Sequence, residues 1–248
     1  MAGHSQYSNI VHRKNAQDKK RAKIFSKLAR EITVTARSGA DPSMNPALRS
    51  AILAARAQNM PKDRIERAIS SASGGDSANY EEMRYEGFGP GGIALIIEAL
   101  TDNRNRTASE VRSAFQKHSG TLGESGSVAY MFERIGLIRY PTDASSADDM
   151  LEAAIEAGAD DCNSDEDGHE VICAPDGLNT VRDGLEQSLS APATTARLEW
   201  RPTNTIAIDE EHAGTLFKLL DVLDDNDDVQ RVFANFKVDD AVLERLSA

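Results

Sequence analysis

Residues 93–118 read IALIIEALTDNRNRTASEVRSAFQKH. Ile93–Leu100 is a continuous apolar run broken only by Glu98, the length and texture of a strand buried on both faces. Thr107-x-x-Glu110 has the spacing of a capping box, which predicts a helix over Ala108–His118. Ser127–Phe132 reads as the next strand, so this stretch predicts one β-α-β unit. Toward the C-terminus the pattern resumes. Leu137–Tyr140 reads as a strand, Ala147–Ala157 as a helix, Ala159–Cys162 and Glu170–Ala174 as strands, Asn179–Leu189 as a helix and Thr195–Arg201 as a strand. The order β-α-β-β-α-β is the split βαβ, or ferredoxin-like, arrangement. Then come a strand over Asn204–Asp209, a helix over Glu211–Leu223 and a strand over Val229–Val238. This second β-α-β has no partner unless it joins the first. The expected body is therefore a discontinuous α+β middle domain, 77–133 plus 203–240, with a ferredoxin-like α+β domain, 134–202, inserted into it.

Upstream the periodicity is helical. With Lys20 as origin and 100° per residue, Ile24, Phe25, Leu28, Ala29, Ile32 and Ala36 fall in one arc. Lys20, Lys23, Lys27, Arg30 and Arg37 fall in the opposite arc. Ser38-Gly39 stops this helix, and Asn45 with Pro46 starts a second over Ala47–Gln58. Pro61 opens a third, PKDRIERAISSAS, with Lys62, Arg64 and Arg67 near its surface. Ser70–Ser77 is Ser/Gly-rich and reads as a linker. Residues 1–76 are thus expected to form a basic helical domain.

The net charge of −12 conceals a division. Residues 1–75 carry 14 Lys+Arg against 5 Asp+Glu, and the remainder 14 against 35. A one-signed helical face repels itself without structural return, and a polyanion relieves it. Binding by counterion release from phosphates is salt-dependent and only weakly sequence-dependent. The expected nucleic-acid contacts are His12, Arg13, Lys14, Lys19, Lys20, Arg21, Lys23, Lys27, Arg30, Arg37, Lys62 and Arg64. Only Tyr7 and Phe25 interleave with these cations, which favours backbone reading over base stacking. Arg104 and Arg106 stand before a helix N-terminus and are candidate anion contacts. Pairing with local carboxylates is the alternative for both.

Other chemistries find no support in the sequence. Gly87–Gly92 matches G-x-G-x-x-G but precedes a strand instead of opening a helix, so it reads as a tight turn and not as a dinucleotide fingerprint. The acidic stretches from Asp161 and Asp224 lack the glycine and glutamate that a calcium loop requires, so both read as solvated loops. Cys162, His169 and Cys173 fit no zinc spacing, and two cysteines are too few for a disulfide framework. There is no nucleophile elbow, so no catalytic residue, metal or cofactor is expected. No apolar run is long enough to span a membrane, and the opening has no signal core, which points to a cytoplasmic protein.

The stretches GHSQYSNIVHRKNAQDKKRAKIFSKLAREI (3–32), NPALRSAILAARAQNMPKDRIERAI (45–69), YEGFGPGGIALIIEALTDNRNRTASEVRSAF (85–115), GSVAYMFERIG (126–136) and DVQRVFANF (228–236) resemble the YebC/PmpR family in order and over almost the whole chain. Tyr7 stands where that family usually has tryptophan, and Gln6 where it often has lysine. The resemblance implies a helical N-terminal domain followed by two α+β domains. It also implies a DNA-binding transcriptional regulator, and with no catalytic motif in the sequence the chain is expected not to be an enzyme. Related members are a mitochondrial translational activator of cytochrome c oxidase subunit I and bacterial proteins linked to ribosomes, so ribosomal RNA is the alternative target. The acidic domains would orient the protein or contact protein partners.

Overall fold

The computed structural model describes residues 17–73, 79–239, 242, 243 and 245, with side chains from Arg21 onward. In chain order the elements are α1 (Gln17–Ala36), α2 (Pro46–Ala57), α3 (Lys62–Ser71), β1 (Glu81–Phe88), β2 (Ala94–Thr101), α4 (Arg104–Lys117), β3 (Thr121–Leu122), β4 (Phe132–Tyr140), α5 (Ala147–Ala157), β5 (Asp161–Asp165), β6 (Gly168–Cys173), α6 (Leu178–Leu189), β7 (Thr195–Pro202), β8 (Ile206–Ala207), α7 (Glu210–Asp224), β9 (Val229–Ala234) and β10 (Phe236–Lys237). This is a multidomain α+β fold. No helix among the described residues is long and apolar enough to cross a membrane.

The chain divides into two compact bodies. The first takes α1 up to Lys27, the described residues of Ala78–Glu133, and those of Trp200–Ala248. Its sheet runs β3-β1-β2-β9, with β1, β2 and β9 antiparallel to their neighbours. Leu95 and Ile97 of β2 face α4 and α7 in a core with Phe115, Leu216, Leu220 and Val232. Ala94 and Ile96 face the other way, against Val128, Phe132 and Phe233. Both faces of β2 are therefore buried, which is why its sequence is a continuous apolar run. The Gly87–Gly92 stretch turns β1 into β2. Gly91 and Gly92 have φ of 70° and 75°, a region that side chains disfavour.

The second body takes Leu28 to the end of α3 together with Arg134–Glu199. Its sheet order is β5-β6-β4-β7, the ferredoxin-like order, with α5 and α6 packed on one face. The helical segment is locked by Asn45. Its Oδ1 accepts from Leu48 N at 3.0 Å, capping α2, while its Nδ2 donates to the carbonyls of Thr35 and Gly39. Arg182 on α6 is fully buried, bonded to Asp183 and within 3.4 Å of Ser50 Oγ on α2.

Four local expectations are corrected. Glu81–Phe88, which hydropathy passes over, is a strand. Its Glu86 is buried because the carboxylate accepts from Val128 N at 2.9 Å and Ala129 N at 3.0 Å. The same bonds undo the strand expected at Ser127–Phe132. That backbone is satisfied by a side chain and forms a turn with a 3-10 segment at Ala129–Met131, so β4 begins only at Phe132. Thr107 is no cap, because α4 starts earlier behind Asn103, whose Oδ1 accepts from Arg106 N. The expected final strand breaks at Asn235, whose Oδ1 accepts from Ala94 N at 2.8 Å. Beyond the break, β10 pairs in parallel with the short β8 outside the main sheet.

Thr107 instead lines a buried polar cluster. Asp228 Oδ2 accepts from Thr107 Oγ1 and Arg106 Nη2 at 2.7 Å and from Thr101 Oγ1 at 3.2 Å. Because Asp228 is buried and three donors converge on one oxygen, Asp228→Ala is expected to lower stability by on the order of 2–3 kcal/mol in urea unfolding. Glu86 gives a pH prediction. Burial pushes its carboxyl up, but the backbone N–H groups of Gly126, Val128 and Ala129, with Arg84, outweigh this and hold it below its ordinary value of 4.5. A depressed folded pKa contributes stability that is present above pH 4.5 and is lost as pH falls through the folded value. Glu86→Gln should therefore be less stable than the parent at pH 7, with the gap narrowing as unfolding is measured down toward pH 3.

Candidate nucleic-acid interface

The cations expected to meet phosphate begin outside the described residues: His12, Arg13 and Lys14 lie there. Lys19 and Lys20 are within α1, and their side chains are outside the described set. From Arg21 the helix can be followed in detail. Phe25, Ile32 and Ala36 are buried, and Ile24, Leu28 and Ala29 are half-buried, so the apolar arc is the packed one. Arg21 is exposed, and its guanidinium stands 5.3 Å from the centre of the Phe25 ring. Stacking on an aromatic face holds a guanidinium in place and leaves its rim of donors clear of the ring.

Lys23 and Lys27 end at the C-terminus of α7. Lys23 Nζ donates to the Asp225 carbonyl and to Asp225 Oδ1, both at 2.9 Å. Lys27 Nζ donates to the Asp224 carbonyl at 2.6 Å. The electrostatics of α7 explain the attraction. Its last turn holds no basic residue and ends in Asp224, with Asp225 as its C-cap. Carboxylates there add to the negative end of the helix dipole, and cations from α1 supply the compensation that α7 lacks. The pairing has a cost. Burial pushes the Lys27 ammonium below its usual value, with Lys23 pushing the same way, while Asp224 pulls it up.

In the second body Arg30 is half-buried on α1, and Arg37 is exposed just past the helix end. Lys62 and Arg64 are exposed in the first turn of α3, where Lys62 lies 3.6 Å from Glu66, a solvated pair of small energetic weight. Arg106 binds Asp102 Oδ1 at 2.8 Å and the buried Asp228 at 2.7 Å, and Arg104 lies 3.5 Å from Glu81. Local carboxylates therefore occupy both arginines, which the earlier start of the helix places inside the first turn of α4 and not ahead of it.

Asp224 and Asp225 read in the sequence as part of a solvated loop, and the structure makes them a helix end that receives two lysines. The available signal is a helix ending in acids with no cation within its own last turn. The thiols are not poised as nucleophiles. Burial pushes Cys162 up and Cys173 up to about 11, so both stay protonated near neutral pH. Among the described residues no three His, Cys, Asp or Glu side chains converge as metal ligands would.

Two family models match the chain in succession. Residues 5–75 match the model of the TACO1/YebC N-terminal domain, and residues 80–236 match that of the TACO1/YebC second and third domains. Among solved structures, the crystal structure of the conserved hypothetical protein Aq1575 from Aquifex aeolicus is 47% identical, with a TM-score of 0.82, over 90% of this chain and 93% of that one. With family models spanning the helical segment and both α+β sheets, the chain belongs to the TACO1/YebC family.

Proposed function

We propose that this chain is a nucleic-acid-binding regulator of gene expression, acting as a DNA-binding transcriptional regulator. The observation that carries the proposal is the charge division, 14 basic residues against 5 acidic in residues 1–75 of a chain whose net charge is −12. Exposed Arg21, Arg37, Lys62 and Arg64, with Lys19 and Lys20 beside them in the chain, present ammonium and guanidinium groups suited to phosphate oxygens. The role is binding and not turnover. The family model over residues 80–236 carries a transcriptional-regulator label, which supports this reading.

One observation favours a second target. Residues 76–248 carry 35 acidic residues against 14 basic. Such a body is repelled by a bare duplex, yet it suits a ribosome, where basic proteins lie beside the RNA. On that reading the same cations bind ribosomal RNA and the protein acts in translation. The acidic domains offer a surface to protein partners under either reading.

Crosslinking in cells with sequencing of both DNA and RNA separates the two. Reads concentrated at promoters are expected for the transcriptional role, whereas crosslinks confined to one ribosomal RNA site would overturn it in favour of translation. In vitro, replacing Lys20 and Arg21 with alanine should flatten the log–log salt dependence of binding by roughly 1.4–1.8, about 0.7–0.9 for each phosphate that is no longer neutralised. An unchanged slope would remove these residues from the interface.

A further inference from the structure

The cations of α1 are not all waiting in solvent. Two of them, one turn apart, are held by a single acidic end of α7 within the same compact body. The acceptors there are the carbonyls of Asp224 and Asp225 and the Asp225 carboxylate, all oxygens and all at 2.6–2.9 Å. That is the reach and chemistry of a phosphate group meeting two lysines. The exposed Asp227 follows two positions on, so the field at this end stays negative beyond the contacting groups.

We propose that the Asp224–Asp225 end of α7 is an internal phosphate mimic. It occupies Lys23 and Lys27 in the free protein and releases them when a polyanion binds. The inference rests on the reading of α1 as the nucleic-acid-binding helix, and it adds regulation of that site. The contact is suited to exchange. Lys23 and Asp225 are both substantially exposed, with side-chain exposures of 42% and 73%, so their ion pair is screened by salt and individually weak. Phosphates arriving along α1 offer the same ammonium groups a denser line of charge and the entropy of released counterions. The latch raises the threshold for binding. A short or sparse polyanion does not displace it, whereas a continuous backbone that already engages Arg21 does. The device therefore selects for extended phosphate arrays over isolated phosphates and nucleotides.

The test uses the full chain with a short DNA duplex and an RNA hairpin as probes. Asp224→Asn with Asp225→Asn removes two charges from a helix C-terminus, a change that the helix dipole favours, so folding is expected to survive. Asp225→Asn alone is the milder second variant. The control is Asp165→Asn with Asp167→Asn in the exposed β5–β6 turn, which makes the same change in net charge elsewhere. The latch variant should bind both probes more tightly at 0.15 M salt, by several-fold, and by more than the control, which carries the same change in net charge. On the latch background, Lys23→Ala with Lys27→Ala should erase the gain, giving a strong coupling in a double-mutant cycle. Equal gains in latch and control variants would reduce the effect to net charge and overturn the proposal. So would a gain that persists without the two lysines. If the parent binds probes and the latch variant binds no better, the latch fails while the nucleic-acid reading stands. If no variant binds either probe, the nucleic-acid reading fails and the latch falls with it.

Discussion

Lys23 and Lys27 seated on the carboxyl end of α7 show the constraint that the rest of this protein answers to: one chain must hold a positive end and a strongly negative body in the same fold. Opposite charges that can meet will do so, and a helix that ends in acids is where the meeting gains most. The pairing is local and partial. It uses two cations of the helix, while Arg21 remains exposed over its own aromatic ring. Two other acids of the first body are handled by burial with directed donors. Asp228 is neutralised by Arg106 and two threonine hydroxyls, and Glu86 is held by backbone N–H groups and Arg84. Each arrangement gives a carboxylate a fixed structural task and so takes it out of the long-range field facing a polyanion.

The ferredoxin-like sheet was legible from the sequence because its elements follow simple periodicities. The α5 helix, Ala147–Ala157, has its boundaries in the sequence, with Ser146 ahead as cap and Gly158 behind in a left-handed conformation. The first body was harder for a physical reason. Its strand β1 carries a glutamate where hydropathy expects an apolar side chain, and that glutamate is buried by bonds to a loop some forty residues away in the chain. Single-sequence patterning sees neither the loop nor the bonds. The same non-local bonds turned an apolar stretch, Ser127–Met131, into a turn. Thr107 misled in the opposite way. It had the local spacing of a cap, yet its hydroxyl is committed to Asp228, 121 positions along.

The candidate site was legible in composition and less so in detail. The helical wheel separated the packed arc from the cationic one, and burial of Phe25, Ile32 and Ala36 follows that division. What the wheel could not show is that a cation facing away from its own helix's core can face another helix's end. Arg104 and Arg106 make the same point. Their position before a helix N-terminus suggested an anion, and the anions they meet are Glu81, Asp102 and Asp228 of the same chain. In an acidic protein, intramolecular carboxylates compete first for any arginine within reach.

On this reading the phosphate-binding end of the protein is its basic N-terminal end. Six of its nine lysines, Lys14, Lys19, Lys20, Lys23, Lys27 and Lys62, lie within the first 75 residues; Lys117, Lys218 and Lys237 do not. Lysine acylation of the full chain, with and without a saturating nucleic acid and read residue by residue by mass spectrometry, addresses this directly. Protection is expected to concentrate on the first group, with Lys117, Lys218 and Lys237 labelled at unchanged rates. Protection of those three with the N-terminal lysines unaffected would contradict it.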